Sequence, residues 1–197
     1  MNTKICSTVA ALGIGALCAA ANAGITFSNV TISTPYDDNV SYVTSDQDID
    51  FLFDSTMNVL EGDPEEISLV ISYDAWSMQA MTQDTMVLSV LGGLLGAGEI
   101  QFSERIWEIT EAAGDNLLVD YFVTLGAGDE LPHVADLMFE RPAMHFHVEK
   151  RITLRAPDET QGIDLASISL VEQRFVPTPG AAALMGLAGL TGLRRRR

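Results

Sequence analysis

Two stretches of the sequence space their residues as chemistry would require. In SDQDIDFLFDST, residues 45–56, Asp46, Asp48 and Asp50 stand two apart and Asp54 follows four later. Calcium takes several hard oxygens, and an EF-hand loop supplies them from positions 1, 3, 5 and 12 around a glycine at position 6. Counting from Asp46, the sixth residue is Phe51 and the twelfth is Met57, so the sharp turn and the last ligand are both missing. Two readings stay open: a looser calcium site that draws in Asp37 and Asp38, or the polar side of a strand whose other side is Ile49, Phe51 and Phe53. The second stretch carries His145 and His147, which project from one face if the segment is a strand. Such a pair is half of a zinc or copper site, with His133 or Glu149 as a further ligand. Arg151 and Arg155 fall on the same face and repel a cation, which favours an ordinary solvent-facing strand.

Other signatures are weaker. GLLGAG, residues 93–98, has the glycines of a phosphate-binding loop, but strand-like EIQF follows where a helix should, and no lysine is near. It reads as a mobile turn. No G-x-S-x-G nucleophile elbow occurs, and three histidines among many serines and aspartates form no recognisable triad. With 27 acidic residues, carboxylate pairs suited to glycoside hydrolysis are guaranteed by number alone and so carry no information. Trp76, Trp107 and Tyr73 either line a sugar-binding surface or belong to the core.

The elements that must position these groups are strands. ITFSNVTIS opens with alternation at Ile25–Ser33. ISLVISYDAW puts Ile67, Leu69, Ile71 and Tyr73 on one face, with Ser68, Ser72 and Asp74 opposite, and Val70 and Trp76 interrupting the polar side. NLLVDYFVTL aligns Leu117, Val119, Tyr121, Val123 and Leu125. In MHFHVEKRITLRA one face holds Met144, Phe146, Val148, Ile152 and Leu154 with Lys150 among them, and the other is polar throughout. IDLASISLVEQRF closes the series. DAWSMQAMTQDTM reads as strand and turn, because Thr, Ser and Gln dilute any helical stripe. Gly-, Pro- and Asp-rich joints separate the runs. The pattern predicts an all-β fold, an antiparallel β-sandwich of jelly-roll type, in a single domain over residues 24–175.

Charge narrows the partners. The chain of 197 residues carries −16, but Lys4 and Arg194–Arg197 lie in the terminal segments. The interior therefore sets six basic residues against 27 acidic ones, a net of −21. Such a surface repels phosphate backbones, so nucleic acid is excluded as a partner. It suits solubility, divalent cations or a saline exterior.

The two ends carry addresses. Val9–Ala20 is an apolar run too short to span a bilayer, preceded by Lys4 and followed by Ala21-Asn22-Ala23, so residues 1–23 read as a signal peptide cut before Gly24. Leu17 before Cys18 does not fit a lipobox. Cys6 and Cys18 leave with the peptide, and the mature chain then has no thiol and no disulfide. At the other end, VPTPGAAALMGLAGLTGLRRRR places Pro177, Thr178, Pro179 and Gly180 before an uncharged run, 181–193, and a cluster of four arginines, Arg194, Arg195, Arg196 and Arg197. As a helix, that run spans about 20 Å, short of the ~30 Å hydrocarbon core. Each arginine costs roughly 2.5–3.5 kcal/mol at a helix centre on insertion scales, so the cluster should stay cytoplasmic and halt the chain.

This tail resembles the PEP-CTERM sorting signal of exported bacterial proteins, in its V-P-x-P-G, planctomycete-type form. Thr178 stands where the family has glutamate. The resemblance covers residues 176–197 and implies recognition by an exosortase-like membrane enzyme, at least transient membrane residence and delivery to the cell surface or extracellular matrix. It implies nothing about the interior. The chain is thus expected to be an exported, non-enzymatic protein with a structural or adhesive role beside exopolysaccharide, its partners being the secretion machinery and the sorting enzyme. The alternatives are a carbohydrate- or calcium-binding module and, behind it, a polysaccharide hydrolase. No cofactor is called for other than calcium in the module reading.

Overall fold

The computed structural model describes residues 24–33, 40–53, 58–60, 66–89, 93–110, 116–158 and 161–178. The signal segment 1–23, Asp37, Asp38, Asp54 and the tail from Pro179 onward lie outside them. Ten strands follow in order: β1 (Ile25–Ser33), β2 (Val40–Thr44), β3 (Asp48–Phe53), β4 (Asn58–Leu60), β5 (Glu66–Ser89), β6 (Glu99–Glu108), β7 (Leu117–Gly126), β8 (His133–Arg155), β9 (Leu165–Ser167) and β10 (Leu170–Pro177). Every pairing among the described strands is antiparallel.

The two long strands decide the architecture. Residues 66–76 of β5 pair with residues 145–155 of β8, and residues 83–88 pair with residues 133–138. β1 joins the first half of β5 and β10 joins the second half. β6 and then β7 extend from the second half of β8, while β3 and then β2 extend from β10. One layer is therefore β1, β5, β8, β6, β7, and the other is β2, β3, β10, β5, β8, with β5 and β8 shared. The layers face each other through aromatic contacts: Phe51 on Tyr73 at 5.9 Å and Phe146 on Phe175 at 4.9 Å between ring centroids.

A strand can pass from one layer to the other only by re-aiming its side chains, and bulges do this by inserting unpaired residues. In β5 the buried positions run Ile67, Leu69, Ile71, Tyr73, Ala75, Ser77, then switch parity to Asp84, Met86 and Leu88. The ladder shifts between Trp76 and Met81 and again before Gln83. β8 switches in the facing segment, from Leu137, Phe139 and Ala143 to Phe146, Val148, Lys150, Ile152 and Leu154. This corner corrects one expectation: Met144, aligned by alternation with Phe146, is 44% exposed because the parity change falls between them. The DAWSMQAMTQDTM stretch is the bent part of β5.

The last predicted strand divides. β9 pairs with β4 in a small separate ladder, while β10 enters the second layer. β10 runs through Val176 and Pro177, and the Thr178 amide and hydroxyl both donate to the Ala80 carbonyl, at 2.7 and 2.9 Å. The first residues of the proline motif are thus part of the sandwich.

The glycine-rich turn is bonded to the body of the domain. Ala97 N–H donates to the Asp164 carboxylate at 2.7 Å, and Leu95 exchanges backbone bonds with Leu165. A Cβ on Gly98 would fall on the Leu165 carbonyl and within 2.8 Å of the Leu95 carbonyl oxygen, both backbone atoms. Gly98→Ala should therefore cost about 1–3 kcal/mol, the range for forced overpacking. Thermal unfolding of the variant against the parent checks it.

Candidate functional site

The outer face of the first layer gathers the residues best suited to hold a ligand. β1 bulges between Ser28 and Thr31, and Asn29 within the bulge takes a left-handed φ of 54°. Asparagine tolerates that conformation better than most residues. Here the bulge lets Asn29 Nδ2 reach across to Asp74 Oδ2 at 2.6 Å. On the other side, His147 Nδ1 lies 2.7 Å from Asp74 Oδ1. Burial pushes the Asp74 carboxyl up, but the bonds from Asn29 and His147 outweigh it and hold the group below its ordinary range. An ionised carboxylate only accepts, so His147 carries its hydrogen on Nδ1 and Nε2 is the ring's free polar atom.

Two tryptophans flank this fixed imidazole. Trp107 on β6 is in register with His147, their ring centroids 6.0 Å apart. Trp76 stands one row along β5, opposite His145, and is 46% exposed. The next row in the other direction places Thr31 and Ser72, bonded hydroxyl to hydroxyl at 2.7 Å, beside Glu149 and then Arg105, which pairs with Asp120 at 3.1 Å. The face thus offers aromatic area, a rigid imidazole and a border of hydroxyls and charges. Asp74 is the only hydrogen-bond partner of the His147 side chain among the described residues.

The outer face of the second layer is acidic. Asp48 and Asp50 of β3 lie beside Arg174 and Glu172 of β10, lining with Thr85 and Val87 a depression of about 250 Å³. Asp48 Oδ2 accepts from Ser45 Oγ at 2.9 Å, and its other oxygen is 3.7 Å from Arg174 Nε. Burial, then the charges of Glu172 and Asp48, push the Asp50 carboxyl up. Asp46 is exposed in the turn before β3, while Ile49, Phe51 and Phe53 are all buried. The strand-face reading of this stretch describes its geometry. No group of three or more His, Cys, Asp or Glu among the described residues converges to hold a metal ion. His145 and His147 share a face as expected, yet His147 is committed to Asp74.

Between the layers sits a charged cluster. Lys150 and Glu104 face each other across β8 and β6, both fully buried, with Nζ 2.7 Å from Oε2. Gln173 Nε2 donates to both Glu104 Oε1 and Asp84 Oδ2 at 2.5 Å, and the Tyr73 hydroxyl donates to Gln173 Oε1. Burial and then the Glu104 charge push the Asp84 carboxyl well above the carboxylate range, against the opposing pull of Lys150 and Gln173. Tyr73, a candidate for a sugar-facing aromatic, is a core residue of this cluster. Its sequence signal was shared parity with Ile67, Leu69 and Ile71.

No family model matches the chain, and no curated protein matches it. Among solved structures it is similar to TmCBM61, determined in complex with β-1,4-galactotriose, at 8% identity and a TM-score of 0.35, over 77% of this chain and 90% of that one. It is also similar to a family two carbohydrate esterase from Cellvibrio japonicus at 10% identity and a TM-score of 0.27, over 79% of this chain and 37% of that one. At that level of likeness, what those proteins bind or cleave belongs to them. Among the described residues no helix is long and apolar enough to cross a membrane.

Proposed function

We propose that this is an exported cell-surface or matrix protein with an adhesive role, holding neutral polysaccharide on the Trp76–His147–Trp107 face of a jelly-roll β-sandwich. The observation that carries the reading is the pair of indoles on one sheet face, Trp76 exposed and Trp107 half-buried, on either side of an imidazole locked by Asp74 and Asn29. Indole faces pack against the apolar faces of pyranose rings, and ordered polar groups around them bond the hydroxyls. The interior charge of −21 disfavours polyanionic chains and leaves neutral ones. A glycan array on the parent protein identifies the ligand class. Trp107→Ala should then weaken binding by roughly tenfold, about 1.4 kcal/mol, with the fold intact by circular dichroism. Unchanged affinity would remove this face from consideration.

The address belongs to the same proposal. The signal peptide is cut after Ala23, and the tail is sorted by an exosortase-like enzyme while Arg194–Arg197 remain cytoplasmic. The mass of the mature protein from its host reads both ends at once. Deleting the four arginines should let the chain pass the membrane unprocessed, and unchanged processing would refute the stop-transfer role.

A further inference from the structure

The start of the proline motif is bonded beside an unusual patch of surface. Thr178 is fastened to Ala80, inside the bent segment of β5. Only Pro179 and Gly180 separate it from the uncharged run 181–193. Extended chain covers at most about 3.5 Å per residue, so a membrane-inserted run keeps this corner within about 10 Å of the lipid. The same corner exposes Met78 at 77%, Trp76 at 46%, Met144 at 44% and Ile109 at 38%. These belong together: Trp76 pairs with His145 in the ladder, Met144 precedes His145, and the Ile109 amide bonds the His145 carbonyl at 2.9 Å.

Charge distinguishes the patch as sharply as hydropathy. Residues 75–83 and 141–148, the two bent segments, contain no Asp or Glu, in a chain with 27 of them between Asp37 and Glu172. Their ionisable groups are Arg141, His145 and His147, with Arg141 paired to Glu108 of β6 at 3.0 Å. Elsewhere the acidic surface would be repelled by an anionic lipid face; this corner would not. Tryptophan and methionine side chains at such a margin suit the boundary between headgroups and acyl chains.

We infer that the β5–β8 corner is a lipid-docking surface, seating Trp76, Met78 and Met144 in the membrane interface while the tail is inserted. The inference rests on the stop-transfer reading of the tail. Trp76 therefore meets lipid while the tail is inserted, and joins Trp107 in holding polysaccharide only once the tail has been cut.

The test uses the chain with its tail, reconstituted in vesicles of phosphatidylethanolamine and phosphatidylglycerol carrying brominated acyl chains. Trp107→Phe leaves Trp76 as the only tryptophan, and Trp76→Phe leaves Trp107, each excited selectively over the four tyrosines. Emission from Trp76 should fall roughly twofold, as expected for an indole at the acyl boundary, while Trp107 changes little. Met78→Glu combined with Met144→Glu should abolish the quenching of Trp76 without releasing the protein from the vesicles. Protein that floats with the vesicles but leaves Trp76 unquenched, or quenching that survives the double substitution, overturns the docking surface alone. Protein that does not float overturns the tail reading and the docking surface with it.

Discussion

Lys150→Met should destabilise the domain by about 3–5 kcal/mol, the cost of leaving one member of a buried ion pair without its partner. For a domain of this size that lowers the melting temperature by roughly 6–20 °C. The stranded group is Glu104, fully buried, whose Oε2 lies 2.7 Å from Lys150 Nζ and has no other hydrogen-bond partner. Phe102, whose ring centroid is 5.5 Å from the ammonium, offers a carboxylate nothing in return. Adding Glu104→Gln to Lys150→Met should recover most of the loss, since the amide oxygen still accepts from Gln173 Nε2 and no net charge remains on the pair. Urea unfolding of both single variants and the double variant reads the coupling. Additive losses would show that the two charges do not stabilise each other.

Asp84→Asn should change how stability depends on pH. The Asp84 carboxyl sits well above its ordinary range when folded, held there first by burial and then by Glu104. In acid, below the unfolded carboxylate range, both states are protonated and the stabilising contribution is complete. As pH rises through that range the unfolded chain releases its proton while the folded chain keeps it, so stability declines until the folded group also titrates. Asparagine imitates the protonated acid and cannot titrate. The melting temperature of Asp84→Asn relative to the parent should therefore rise from acid toward neutral and alkaline pH. A constant difference across that range would show that Asp84 is ionised in the fold.

Alternation locates β1, β3, β7, β10, the first half of β5 and the second half of β8, with most of their inward faces, but not β2, β4 or the first half of β8. Ile67, Leu69, Ile71 and Tyr73 are buried as their spacing requires, and His145 and His147 share the opposite side of the same sheet. What alternation could not supply was the corner. Whether a strand continues or crosses to the facing layer depends on which partner it pairs with, and alternation puts Met144 on the wrong side for that reason. The buried cluster left a fainter mark: Lys150 between Val148 and Ile152, Glu104 between Phe102 and Ile106, Gln173 between Val171 and Phe175, each a polar residue at an inward position. Only Lys150 stood out in the sequence. That these groups meet was beyond its reach, because their strands are distant along the chain. The Asn29–Asp74–His147 chain was hidden likewise, depending on a bulge in β1 that no local motif announces.

β10 lies between β3 and β5, bonded to both along most of its length, and its C-terminal end is where the tail leaves. Pull on that tail does not unzip an outermost strand one bond at a time. Tension directed along β10 instead shears two ladders together, and the Thr178–Ala80 bonds take the first of the load. A domain held by that tail would hang from a strand bonded on both sides.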